Sequence, residues 1–160
     1  MVTLPTIQEQ QIWTILETVC DPEVPVLSIL DLGIVRKVIC MHDSIEIVIT
    51  PTYSGCPAMD MIAMNIRLEL AEKGFTAVKI TSVLAPAWTS DWMTEAGKEK
   101  LKQYGIAAPN KQFDIPVDGV ECPRCNSTHT KLISEFGSTA CKALYQCQDC
   151  AEPFDYFKCH

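Results

Sequence analysis

The sequence predicts an α+β fold in which a small mixed sheet is covered by helices, followed by a small cysteine-rich ribbon domain. Three observations predict it. Apolar residues recur at helical spacing near residues 7–20 and 57–74, alternating isoleucines mark a strand at residues 44–50, and two C-x2-C pairs lie toward the end of the chain.

The elements follow in order. Thr6 with Glu9 forms a capping-box pattern, and Ile12, Ile15, Leu16 and Val19 then repeat at helical spacing, so a first helix is expected from about residue 7 to 20. It should stop at "DPEVP", because Pro22 and Pro25 disfavour helical geometry in the residues before them. Residues 34–40 and 44–50 read as a β-hairpin across "MHDS", with Ile45, Ile47 and Ile49 on one face. From Pro57, the positions Met61, Met64, Leu68 and Ala71 mark the apolar face of a second helix, which Gly74 ends. Residues 75–84 form a third strand, and Thr89, Ser90 and Asp91 offer caps for a last helix ending near Gly105. Trp88 and Trp92 read as packing residues. The domain is expected to span residues 1–108, with a proline-bearing linker at 109–120 and a metal-dependent unit at 121–160, a segment too short for a self-sufficient core.

Composition narrows the function. The chain carries a net charge of −7, which argues against non-specific nucleic-acid binding, since that needs a basic surface to replace phosphate counterions. No apolar run approaches a bilayer span, and the N-terminus lacks the basic start and apolar core of a signal peptide, so the expected compartment is the cytoplasm. In a reducing compartment the nine cysteines are better candidates for metal ligands or reactive thiols than for disulfides.

"CPRC" and "CQDC" give C-x2-C-x21-C-x2-C, a spacing that aims Cys122, Cys125, Cys147 and Cys150 at one ion in the tetrahedral set zinc favours. Between them "TKLISEF", "GS" and "CKALYQC" read as strand, turn and strand, which makes the unit a zinc ribbon. Iron in a four-thiolate site is the rival occupant, because geometry does not separate the two metals. Cys141 reads as a core residue or an auxiliary ligand, and the adjacent Cys159 and His160 as a pair that could supplement the site. From Cys122 onward the ribbon has four basic and four acidic residues, which favours protein docking over nucleic acid. His42 is a turn residue and His129 a surface one.

The stretch "PTYSGCPAMDM" places Cys56 where the second helix begins. With Pro57 at the first helical position, Cys56 is the expected N-cap, and the helix dipole there favours thiolate, so Cys56 should alkylate faster than Cys20 or Cys40. An inert capping residue is the alternative. Use of Cys56 as an enzyme nucleophile is disfavoured, since none of the three histidines lies in its motif.

Taken together, "DPEVPVLSILDLGIV" (21–35), "TPTYSGCP" (50–57) and "APAWTSDWM" (85–93) resemble the SufT-like family of iron–sulfur assembly proteins. The tail "FGSTACKALYQCQDCAEPFDYFKCH" narrows the resemblance to the family's phenylacetate-degradation members. It implies a non-catalytic accessory factor for the multicomponent phenylacetyl-CoA 1,2-epoxidase. The implied partners are the epoxidase components, especially the reductase carrying a [2Fe–2S] cluster, and the iron–sulfur assembly machinery. Structural zinc and a transient iron or iron–sulfur cluster are the implied cofactors. The family's acidic loop falls on Asp21 and Glu23, and its reactive cysteine on Cys56, preceded by Thr50. A stable structural or electron-transfer component of the oxygenase complex is the alternative role.

Overall fold

The structure, a computed structural model, describes residues 6–109 and 119–158. The chain divides into two compact units, Met1–Trp88 and Thr89–His160.

In the first unit, α1 (Ile7–Leu16) opens on Thr6, whose hydroxyl accepts the Glu9 N–H at 3.2 Å. The helix ends earlier than its periodicity predicts. Thr18 turns its hydroxyl back to the Ile15 carbonyl at 2.7 Å, while the Val19 carbonyl accepts from Ile29 N–H at 2.9 Å in the returning chain. β-Branched side chains bend readily away from helix, and Val19 is buried in the core instead. β1 (Val35–Cys40) and β2 (Ile45–Ile49) form the expected antiparallel hairpin, and the alternation of β2 buries Ile45, Ile47 and Ile49. β3 (Val78–Ser82) pairs parallel with β2, giving the sheet order β1-β2-β3.

The helix between them, α2 (Ala58–Glu72), corrects the sequence reading. Its buried row is Ala58, Ile62, Ile66 and Leu70, whereas Met61, Met64, Leu68 and Ala71 face outward. Both rows are apolar at helical spacing, so periodicity alone could not choose. Burial takes the β-branched isoleucines, and the flexible methionines are left outside. The Trp88 indole donates to the Leu32 carbonyl at 2.7 Å in the same core.

In the second unit a 3-10 turn (Ser90–Trp92) precedes α3 (Glu95–Gln103). The cap of α3 is Thr94, whose hydroxyl accepts from Gly97 N–H at 2.9 Å, rather than one of the expected residues 89–91. Gly105, with φ of 89°, terminates the helix as expected, since a left-handed residue there suits glycine. β4 (Ile106–Ala107), β5 (Thr130–Ser134), β6 (Lys142–Cys147) and β7 (Pro153–Phe157) form a second sheet ordered β4-β7-β6-β5. Sequence reasoning found β5 and β6 and missed β4 and β7. Pro153 disguised β7, yet it occupies the first strand position, where a missing N–H costs no interior ladder bond. β4 adds residues 106 and 107 to the ribbon sheet, and most of the expected linker, 110–118, lies outside the described residues. Tyr145, Tyr156, Phe154 and Cys122 fill the core of this unit. Among the described residues no helix is long and apolar enough to cross a membrane.

Candidate metal centre and thiol turn

Two turns build the metal centre. Cys122 N–H donates to the Ser127 carbonyl and Cys147 N–H to the Glu152 carbonyl, both at 2.9 Å, which curls each C-x2-C pair into a knuckle. The residue after each second cysteine is left-handed, Asn126 with φ of 62° and Ala151 with φ of 60°. Asn tolerates that conformation well, and Ala adopts it only at a cost.

The four thiols converge, with Cys122 Sγ 3.8 Å from Cys150 Sγ, Cys125 Sγ 3.5 Å from Cys147 Sγ, and all four within 4.8 Å of one another. A zinc–sulfur bond of about 2.3 Å implies edges of about 3.8 Å for a tetrahedral four-sulfur cage. The residues present therefore fit a divalent ion. Backbone N–H groups of Cys150 and Asp149 hold the Cys147 thiol down at about 7. Cys125, although Ser127 N–H favours its thiolate, is pushed up to about 12 by burial and by the neighbouring thiols. Such crowding of thiols is relieved when a cation takes them together.

Polar groups brace the two knuckles from outside. Arg124 pairs with Glu152, Ser127 donates to Asp149, and His129 Nδ1 lies 3.0 Å from Asp149 Oδ1. His129 is on the surface, as read from sequence, but its bond to the second knuckle has no signal in spacing. Cys141 is buried one residue before β6, with Thr139 Oγ1 3.0 Å from its sulfur, and is not part of the four-thiol group. Cys159 and His160 lie outside the described residues.

The second constellation surrounds Cys56. The chain leaves β2 at Thr50, reverses through Gly55 with φ of 78°, and enters α2 at Pro57. Pro57, already helical at φ of −68° and ψ of −20°, is the N-cap, so Cys56 sits one residue further out than the sequence reading placed it. Its N–H donates to the Tyr53 carbonyl and its carbonyl accepts from Met59 N–H, both at 3.3 Å. Asp21 Oδ1 accepts from Glu23 and Val24 N–H at 2.7 and 2.9 Å, which folds the Asp-Pro-Glu loop into a side-chain-capped turn.

This placement overturns the expected thiolate. Burial pushes the half-buried Cys56 thiol above its ordinary range, and the charges of Glu23 and Asp21 push it further, against hydrogen bonds from Ala58 N–H and the Tyr53 side chain. Helix-terminus stabilisation is present but outweighed. Cys56 should alkylate slowly at neutral pH, and the rate should climb as pH rises toward the raised pKa. Glu23→Gln removes one repelling charge and should speed the reaction at neutral pH by up to about tenfold, the change one pKa unit makes in thiolate fraction. Mass-spectrometric labelling rates check this; no acceleration in the variant would show that burial alone sets the pKa. Tyr53, which the sequence reading passed over, is the residue that bonds the thiol, and its only signal was membership of "PTYSGCP".

Thr50, at the foot of this turn, is 1% exposed, and its hydroxyl has no hydrogen-bond partner among the described residues. A buried unsatisfied hydroxyl costs about 1–3 kcal/mol. Thr50→Val should therefore hold or raise stability in urea unfolding. A loss of more than about 1 kcal/mol would mean that the hydroxyl is bonded in solution.

With the geometry in place, comparison with known proteins gives the family. Residues 107–158 match the PaaD zinc beta ribbon domain, and residues 9–81 match the iron–sulfur cluster assembly protein family. A protein of Escherichia coli (strain K12), provisionally named as a component of 1,2-phenylacetyl-CoA epoxidase, is 51% identical across 99% of this chain and 98% of its own length. The chain belongs to the PaaD family. An Fe-S protein maturation auxiliary factor of Porphyromonas gingivalis (strain ATCC BAA-308 / W83) is 37% identical over 58% of this chain and 90% of that protein. A solved DUF59 domain from Bacillus anthracis, 27% identical, superposes with a TM-score of 0.55 over 58% of this chain and 90% of its own. A Thermotoga maritima structure, TM0487, at 22% identity over 62% of this chain and 98% of its own, shares the fold with a TM-score of 0.51. This chain thus joins an assembly-type domain to a zinc ribbon.

Proposed function

We propose that the protein is a non-catalytic accessory factor for the multicomponent phenylacetyl-CoA 1,2-epoxidase, acting in the cytoplasm to assist iron–sulfur cluster assembly or insertion into the reductase. The carrying observation is a half-buried Cys56 on the turn entering α2, where burial and the charges of Glu23 and Asp21 push its thiol above the ordinary range. That turn lies within residues 9–81, the part of the chain that matches the iron–sulfur cluster assembly protein family.

The arrangement suits transient handling of cationic cargo. The carboxylates that disfavour a bare thiolate favour a cation beside it, so an arriving iron ion or cluster edge displaces the thiol proton and binds sulfur. One thiolate with oxygen neighbours grips less firmly than the closed four-thiolate ribbon, which leaves the cargo free to pass to a client. The ribbon's role is then structural: zinc held by Cys122, Cys125, Cys147 and Cys150 crosslinks the two knuckles. A nucleophilic enzyme fits less well, because burial and the charges of Glu23 and Asp21 disfavour the thiolate.

The test is the iron and sulfide content of the reductase purified from cells with and without this protein. Without it the epoxidase should assemble but turn over poorly, with its reductase cluster incompletely installed. Chemical reconstitution should restore turnover, and folded Cys56→Ser should not substitute for the native chain. The name carried by the Escherichia coli relative favours a second reading, a stable component of the oxygenase. That reading takes over if fully loaded epoxidase still requires this protein in every turnover, or if cluster occupancy is normal without it.

A further inference from the structure

The first sheet stops abruptly at β3. Ile80 is the register partner of the fully buried Ile47, yet Ile80 remains partly exposed, and among the described residues no strand pairs with the outer edge of β3. Above that edge lies a groove of roughly 690 Å³ lined by Met64 and Leu68 of α2 and by Ile80. Met61, Met64 and Leu68 are 49%, 56% and 56% exposed, a continuous apolar row that a water-facing helix surface does not need. β3 itself carries neither of the usual guards of a strand edge, proline or inward charge, on its groove side. Lys79 alternates away from Ile80 and pairs with Glu46 at 3.1 Å.

Charge at the two ends of the groove identifies the occupant. Asp60 and Arg67, which both line it, form no ion pair or hydrogen bond with any described residue. Because α2 returns the chain from the end of β2 to the start of the parallel strand β3, Asp60 lies toward the Ser82 end and Arg67 toward the Val78 end. A surface with an acid at one end, a base at the other and apolar residues between is complementary to itself after a half-turn.

We infer that the β3 edge and the outer row of α2 form an isologous dimer interface with a second copy of this chain. The two-fold axis passes between the two β3 strands at the level of Ile80. Ile80 then opposes its counterpart, Val78 opposes Ser82 of the other copy, and Lys79 opposes Thr81, so no like charges meet in the new antiparallel pair. Strand spacing of about 4.8 Å separates the mid-lines of the two β2–β3 pairs by about 10 Å across the axis, an ordinary distance for packed helices. The α2 helices crossing over those pairs therefore lie side by side and antiparallel. Their Met61, Met64 and Leu68 rows meet, and Asp60 of each faces Arg67 of the other.

Sedimentation velocity on the full chain, with zinc content and circular dichroism as fold controls, tests the interface. The native chain should sediment as a dimer at micromolar concentration, and Met64→Asp should raise the dissociation constant at least about 100-fold, as expected for a central interface residue. Arg67→Glu alone should also weaken the dimer, whereas the double swap Asp60→Arg with Arg67→Glu should restore it, because the reversed charges face each other again. Hydrogen exchange should show Val78–Ser82 amides protected in native protein and exposed in Met64→Asp. A native chain that stays monomeric to millimolar concentration would overturn the inference, as would a dimer indifferent to Met64→Asp or a double swap that fails to recover. Protection of β3 that arises only on adding epoxidase components would assign the groove to a different protein and equally exclude the dimer.

Discussion

Replacing Cys147 with serine should empty the ribbon's metal site and unfold the four-stranded sheet around it. The expected zinc content falls from one ion per chain to near zero, and amide protection across β5, β6 and β7 collapses while the β1-β2-β3 sheet keeps its own. Cys147 is fully buried, two backbone N–H groups favour its thiolate, and a neutral serine hydroxyl cannot replace that sulfur as a zinc ligand. A structural zinc site contributes on the order of 10 kcal/mol to folding, comparable to the whole stability of an ordinary domain. The core here is built on Tyr145, Tyr156 and Phe154 and is too small to compensate. A strong chelator should reproduce the effect in the native chain. Elemental analysis and exchange measurements decide it, with visible absorption separating ferric iron from colourless zinc; full metal retention in the serine variant would falsify the four-thiolate assignment.

Ile66→Ala should destabilise the first unit by about 2–5 kcal/mol, and Leu68→Ala, measured in dilute protein, by about 0.5 kcal/mol or less. The two residues are a helical step apart and chemically alike. Ile66 is 0% exposed, so truncating it leaves a cavity against the sheet, whereas Leu68 at 56% loses little that water was not already touching. Urea unfolding of both variants checks the contrast. Equal losses would mean that the two rows of α2 exchange roles in solution.

That contrast also marks how far the sequence could be read. Chemistry with a fixed spacing was legible: the paired C-x2-C turns, the alternating isoleucines of β2 and the Thr6 cap each need only near neighbours. The face of α2 was not, because two apolar rows compete and the sheet, not the helix, decides between them. Thr94 was passed over as a cap because Thr89, Ser90 and Asp91 offer the same chemistry a few residues earlier, where the chain makes only a 3-10 turn. The state of Cys56 failed for a related reason. Its local signals, a glycine, a proline and a helix start, all favour thiolate, whereas the opposing causes, burial first and then the carboxylates of a loop some thirty residues upstream, arise only in the folded chain.

The pairing of β4 with β7 sets an order on how the second unit folds. β5, β6 and β7 are joined by short connections and pinned by the knuckles, so their meander closes locally and fast. Ile106 meets Asp155, and Ala107 meets Tyr156, only after a much longer loop has been closed, and those two residues add a single short ladder in return. β4 should accordingly be the last strand to dock and the first to detach. On that ordering, partial unfolding of the ribbon begins at Ile106 with the metal still in place, and the thiolate cage is the final structure to be lost.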